Sequence, residues 1–368
     1  MSNLAIFERK IGLLVSMTVA TLLVGCNQSN TQTTNATASQ PIETKTASVA
    51  TTVDSNALTI YSSRNEQLIK PILDKFTAET GIAVNLITDK PGPLIERLSA
   101  EGSNSPADML LTVDAGNLWQ AKQKQLLQPA LKTATIEQNV PAKYRDPEGY
   151  WTGLSLRSRT IFYQPTTVQA NQIVSYEDLA DPKWKGKLCL RTSNNVYNQS
   201  LISSLIEHHG APKTEAIVKG WVANLATDPF TDDTKLLEAI GAGQCQVGIA
   251  NTYYYGRLVT KQPELADKIH IAWPNQATTG AHVNVSGAGI TAHAKHPEQA
   301  KKLIEWMTAQ NIQSDYSQSD HEFPVNPQGK VSALLTSWGT FKQDDINVAK
   351  FGERQAEAVM LMDKAGYK

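Results

Sequence analysis

The chain carries none of the short signatures of common catalytic machinery. GxxxxGK[ST], HExxH, GxSxG and CxxC are all missing, which removes the phosphate loop, the zinc-protease helix, the serine nucleophile elbow and the dithiol motif. Its nearest glycine-rich pieces, IGAGQC and SGAGI, lack the strand-to-helix setting of a dinucleotide fingerprint. Excess charge of one sign is also absent. The formal net charge is −1 over 368 residues, and without a dense Lys/Arg run no nucleic-acid partner is expected. Cysteine is limited to three, and no His or Cys recurs at metal-ligand spacing. His208-His209 closes a helical pattern before Gly210, where cationic or polar residues are normal. These absences favour a binding protein over an enzyme.

The N-terminus says where it works. Arg9-Lys10 precedes an uncharged apolar stretch from Ile11 to Val24, then Gly25 and Cys26. That is a secretory signal, too short for the roughly 20 residues of a spanning helix. Leu23-Val24-Gly25-Cys26 looks like a lipobox, so residues 1–25 are expected to be a lipoprotein signal peptide and Cys26 the lipidated residue. Acyl chains there would hold the protein to a membrane without crossing it. Residues 26–56, mostly Ser, Thr, Asn, Gln and Ala, cannot bury enough apolar surface to order themselves and read as a tether.

What remains is too long for one comfortable core, so two lobes are expected. Short apolar runs alternate with helical patterns. LTIYSS, IAVNLIT and ADMLLTV read as strands; between the first two, Leu68, Ile69, Ile72, Leu73 and Phe76 share one helical face. Such alternation predicts an α/β fold with doubly wound, parallel sheets covered on both faces. KLCLR and CQVGIA restart the pattern and contain Cys189 and Cys245, an even number in an oxidising compartment, so a disulfide between neighbouring strands is expected. HIAWPNQATTGAHVNVSGAGIT reads as the return crossing between lobes, with Gly280 and Gly287 free to absorb backbone rotation. The expected boundaries are 57–155 plus 283–330 for the first lobe and 156–282 plus 331–368 for the second.

In open α/β sheets the ligand crevice lies beyond the carboxyl ends of strands, where helices begin. Tyr197 follows one such strand and Tyr253-Tyr254 another. Helix N-termini favour anions, which for tyrosine means phenolate, and a multivalent cation can supply the deprotonation. Hard, highly charged metals prefer anionic oxygen, which points to ferric iron. The competing reading is that these phenols are amphipathic rim residues bonded through their hydroxyls. Tyr255 cannot share the direction of both neighbours on a helix and is assigned to packing.

The runs LTIYSSRNEQLIKPILDKFTAETGI, SPADMLLTVDAGNLWQA, SNNVYNQSL, NTYYYGRL and HEFPVNP resemble the bacterial periplasmic ferric-ion-binding proteins, the transferrin-like solute-binding components of iron ABC importers. The resemblance covers essentially the whole chain after the tether. It implies a two-lobed fold with a hinged interlobe cleft, a monomer, and delivery of ferric iron to an inner-membrane ABC permease. It further implies Tyr197, Tyr253 and Tyr254 as phenolate ligands. Where relatives add a first-lobe His, Tyr or Glu, this chain reads Asn65-Glu66, so Glu66 is either a carboxylate ligand or half of a Ser63-to-Glu66 capping box. Asp114 is read as a helix cap. Arg157, with Asn65, is a candidate to neutralise the phenolates or hold a synergistic anion such as carbonate. Rival readings are a binding protein for another oxyanion or for a polyamine, and, more remotely, a secreted hydrolase.

Overall fold

The computed structural model describes residues 57–368. The signal, the tether and Cys26 lie outside the described residues. Among those described, no helix is long and apolar enough to cross a membrane.

Eight strands form the sheet: β1 Leu58–Ser62, β2 Val84–Thr88, β3 Met109–Val113, β4 Thr152–Tyr163, β5 Leu188–Cys189, β6 Val247–Asn251, β7 His270–Ala272 and β8 Val283–Ile290. Their order is β2-β1-β3-β8-β4-β6-β5, with β7 also paired to β4. The sheet is mixed, which corrects the all-parallel expectation. β1 runs parallel to β2 and β3, and β5 to β6. β8 is antiparallel to β3 and β4, and β4 is antiparallel to β6 and β7. Apolar runs reveal burial on both faces and carry no information on direction.

β4 is buried along its whole length and changes partners midway. Thr152 to Ser158 pair with β8, whereas Arg159 to Tyr163 pair with β6. Side chains on the two sides of this change belong to different cores. One cluster gathers Leu58 to Leu156 with Val283 to Phe351, including Leu335 and Val348. Two others gather Ile161 to Ala272 with Ala358 to Tyr367, and Phe162 to Ile269.

The helix Glu66–Thr80 shows how burial decides local structure. Pro71 lies inside it and costs about 3 kcal/mol through its missing N–H and its ring. Ile69, Ile72, Leu73 and Phe76 are buried, each contributing about 1.5–3 kcal/mol, so the helix forms despite the proline. Gly81 ends it in the left-handed region at φ 72°. In the return segment Asn275 and Gly280 have positive φ, at 58° and 92°. Gly287 instead permits close packing, since a Cβ there would lie 2.4 Å from the Thr152 carbonyl oxygen.

Cys189 and Cys245 are joined in a disulfide, with their Cα atoms 5.9 Å apart. It closes a loop of sequence separation 56, which in the chain-entropy account is worth about 4 kcal/mol.

Candidate metal centre

Two strand ends build the phenol cluster. After β5 the chain makes a short irregular passage to the helix Val196–His209, whose cap Asn195 accepts a hydrogen bond from the Tyr197 N–H. After β6 the helix Thr252–Lys261 starts at once and sets Tyr253 and Tyr254 in its first turn. Tyr253 Oη donates to Tyr197 Oη at 3.1 Å, and the Tyr253 and Tyr254 rings lie 4.4 Å apart between centroids. Tyr255 points elsewhere, donating to the Ile269 carbonyl at 2.6 Å and packing on Phe162.

The three phenols open on a cavity of about 140 Å³ shared with Ser63, Arg64, Asn65, Leu68, Val113 and Arg157. A wider cleft of about 1080 Å³ continues from Ser63, Asn65 and Tyr197 toward Glu66, Lys90 and Gln199. Burial pushes the Tyr197 hydroxyl up to about 12, with Tyr254 adding to the rise. Burial drives Tyr253 well above the usual phenol range, and its two phenol neighbours reinforce this. Without a cation, both hold their protons.

Asn65 caps the helix Glu66–Thr80, accepting from Gln67 N–H at 2.9 Å. The Ser63-to-Glu66 capping box therefore does not form: Ser63 N–H donates to the Leu111 carbonyl, and Glu66 is the exposed first residue of the helix. Glu66 lines the wider cleft. Asp114 is the cap of the helix Ala115–Gln123, fully buried at φ 83°. Its carboxylate accepts from Gly116 N–H at 2.9 Å, Ser200 Oγ at 2.6 Å and Asn284 Nδ2 at 2.9 Å.

Arg157 is no surface ion pair, being 1% exposed. Its nearest carboxylate is Asp114 at 3.8 Å, and its Nη2 has no hydrogen-bond partner. Its guanidinium stands 5.4 Å from the Tyr197 ring centroid. Sequence reasoning missed three other arginines and one glutamate. Arg191 Nη1 donates to Tyr254 Oη at 3.4 Å and pairs with Asp233 at 3.7 Å. Arg257 lies 4.8 Å from the Tyr253 ring centroid and makes no salt bridge among the described residues. Arg64 pairs with Asp320, and with Glu322 at 3.0 Å. Burial alone would raise Glu322, but Arg64 and Arg157 outweigh it and hold the carboxyl below its ordinary range. Among the described residues, no group of three His, Cys, Asp or Glu could hold a metal ion.

The family model for bacterial extracellular solute-binding proteins matches residues 72–343. The chain belongs to this family. This solute-binding protein is 41% identical, over 84% of its length and 87% of the relative's, to "Iron uptake protein A1" of Synechocystis sp.. It is 33% identical, over 84% of its length and 90% of the relative's, to the "Fe(3+)-binding periplasmic protein" of Serratia marcescens. Among solved structures, the Trichodesmium protein IdiA, or FutA, in complex with iron and citrate ligands aligns with a TM-score of 0.82 at 42% identity. That alignment covers 85% of this chain and all of the other. These neighbours are two-lobed periplasmic proteins, and the fold is theirs.

Proposed function

We propose that this protein binds ferric iron in a cleft between two lobes, through the phenolates of Tyr197, Tyr253 and Tyr254, and delivers it to an ABC permease. The observation that carries the reading is the meeting of three phenols from two strand ends on one small cavity, with the Tyr197 and Tyr253 hydroxyls 3.1 Å apart. Hydroxyls that close can share one ion once their protons leave, and a trivalent cation supplies the drive. The proposed lobes, 57–155 plus 283–330 and 156–282 plus 331–368, with Leu335, Val348 and Phe351 of the last segment packing into the first core, close about the strands near residues 158 and 283. Glu66, exposed on the wider cleft, is proposed to reach the ion from the first lobe on closure. Asn65 and Arg157 flank the same cavity, where Arg157 offsets phenolate charge or receives a synergistic anion such as carbonate. The protein acts as a monomer in the periplasm, anchored through lipid on Cys26.

A second reading, capture of a small oxyanion, is favoured by the guanidinium groups of Arg64, Arg157 and Arg257 on the same cavity. The same groups oppose a polyamine. One experiment separates the readings: purified protein loaded with ferric citrate, then desalted, is examined by visible spectroscopy and metal analysis. Ferric phenolate is expected to give a charge-transfer band with one iron per chain. Colourless protein that instead retains carbonate or phosphate would leave the oxyanion reading.

A further inference from the structure

The disulfide has so far been only a staple, yet its place relative to the phenols is regular. Tyr197 follows Cys189 by eight residues and Tyr253 follows Cys245 by eight. The two cysteines thus tie together the roots of the two segments that carry the cluster. Backbone bonds also hold the first root on its other edge, where Leu188 bridges Leu225 and Arg191 bridges Phe230, but these tie it to residues 225–230 and not to the Tyr253 segment. β5 has two residues, and its ladder with β6 consists of the pairs Leu188 with Val247 and Cys189 with Gly248. Beyond Cys189 the chain makes a single parallel bridge, Arg191 with Phe230, before the helix at Val196, and in that stretch it presents Arg191 to Tyr254. The two-residue ladder is the only strand pairing between the two phenol-bearing segments among the described residues, and Tyr197 stands eight residues beyond it. Polar contacts assist at the far end: Asn198 Nδ2 donates to the Arg191 and Thr192 carbonyls, and Asp233 accepts from Asn251 N–H while facing Arg191. These are reversible contacts, whereas the sulfur link fixes the register. Both cysteines are buried, at 0% and 1% exposure, so the link is sheltered from reductants.

We propose that the Cys189–Cys245 disulfide is a positioning element of the phenol cluster, locking β5 to β6 so that Tyr197 and Arg191 meet the Tyr253–Tyr254 pair. This rests on the iron reading above. It predicts an effect beyond lost stability. Without the link, Tyr197 samples a wider range of positions against the other two phenols, and a site that needs all three oxygens at once is occupied less well.

The test compares full-length wild type, Cys189→Ala/Cys245→Ala, and Leu303→Ala. Leu303 is a fully buried residue of the first core, so its truncation lowers the melting temperature without touching either strand end. Each protein is titrated with ferric ion against citrate, well below its own melting temperature, and its visible band is recorded. The cysteine variant is expected to lose tenfold or more in ferric affinity and to show a shifted, broadened band, while Leu303→Ala keeps wild-type colour and affinity. Should the alanine pair not fold, Cys189→Val/Cys245→Ala refills the lost sulfur volume and is read the same way. A folded cysteine variant with unchanged affinity and colour overturns the proposal and leaves the iron reading standing. Equal losses in Leu303→Ala also overturn it, since the effect would then follow stability alone. A wild type that takes up no colour removes both.

Discussion

Replacing Tyr253 with Phe tests the site at its centre. The ring and its contacts with Tyr254 and Arg257 stay; only the hydroxyl that donates to Tyr197 is lost. One such bond contributes about 1 kcal/mol net, so the apo protein should lose roughly 2 °C in melting temperature. Iron binding should suffer far more. Zinc sites that gain about 10–16 kcal/mol from four ligands imply roughly 3–4 kcal/mol per ligand, so losing one of three phenolates should cost about two to three powers of ten in affinity. Proton release gives an independent measure. The Tyr197 phenol is pushed up to about 12, so at pH 7 its proton is held by about 7 kcal/mol, and burial raises Tyr253 well above the ordinary phenol value as well. Because the metal takes the deprotonated form, affinity falls as pH drops. Three phenolates give about a thousandfold change per pH unit, and two give about a hundredfold. Competition titrations against citrate across pH, corrected for the chelator's own protonation, read both the affinity and the slope. Tyr255→Phe, which loses only a bond to the Ile269 carbonyl, should leave both unchanged. A Tyr253→Phe protein with wild-type colour, affinity and slope would refute the phenolate assignment.

Other outcomes follow from the same geometry. Glu66→Gln should weaken ferric binding less than Tyr253→Phe and leave the visible band in place, because Glu66 is exposed on the wider cleft; loss of the band would reverse that ranking. Ser200→Ala removes one of the donors that the buried Asp114 carboxylate accepts from and should cost about 1–3 kcal/mol, seen as a lower denaturant midpoint; an unchanged midpoint would remove Asp114 from its role as a joint between elements. The His208 imidazole is raised above its usual value, chiefly by its hydrogen bond to Asp344. Its stabilising contribution is therefore complete below the unfolded value near 6.5 and is lost as pH rises through the folded value. His208→Gln should accordingly lower the melting temperature at pH 5.5 more than at pH 8.5, and an equal loss at both would exclude the ion pair.

Much of this was legible because it is local. Periodicity placed β1 and the helix that follows with their buried faces, and the residues after β5 and β6 placed the three phenols. Cysteine parity gave the disulfide. What could not be read depends on contacts between distant parts of the chain. Strand direction in the mixed sheet follows from β8 returning between β3 and β4, which no local pattern encodes. The cap at residue 65 took the place of the capping box, one of the two readings of Glu66, because Asn65 reached Gln67 while Ser63 was engaged by β3. Arg64 and Glu322 are separated by 258 positions, so SSRNEQ and HEFPVNP each held half of a buried pair that neither stretch shows alone. Arg191 and Arg257 sit within six residues of the tyrosines, and that proximity was the available signal.

β4 has a mechanical consequence. It is one unbroken strand of twelve buried residues, bonded on either side of Ser158 to a different set of neighbours. An engineer would call such a part a flexure: a continuous blade that bends through a small arc, with no sliding surface to wear or drift. Such a blade bends through small changes in φ and ψ spread over several residues, the soft angles of the backbone. Every opening and closing of the proposed lobes would then retrace one path. Under the proposed function, a clamp hung on such a blade would bring its jaws back to the same registration whether or not anything lay between them, so a captured ion would have only to hold the clamp shut.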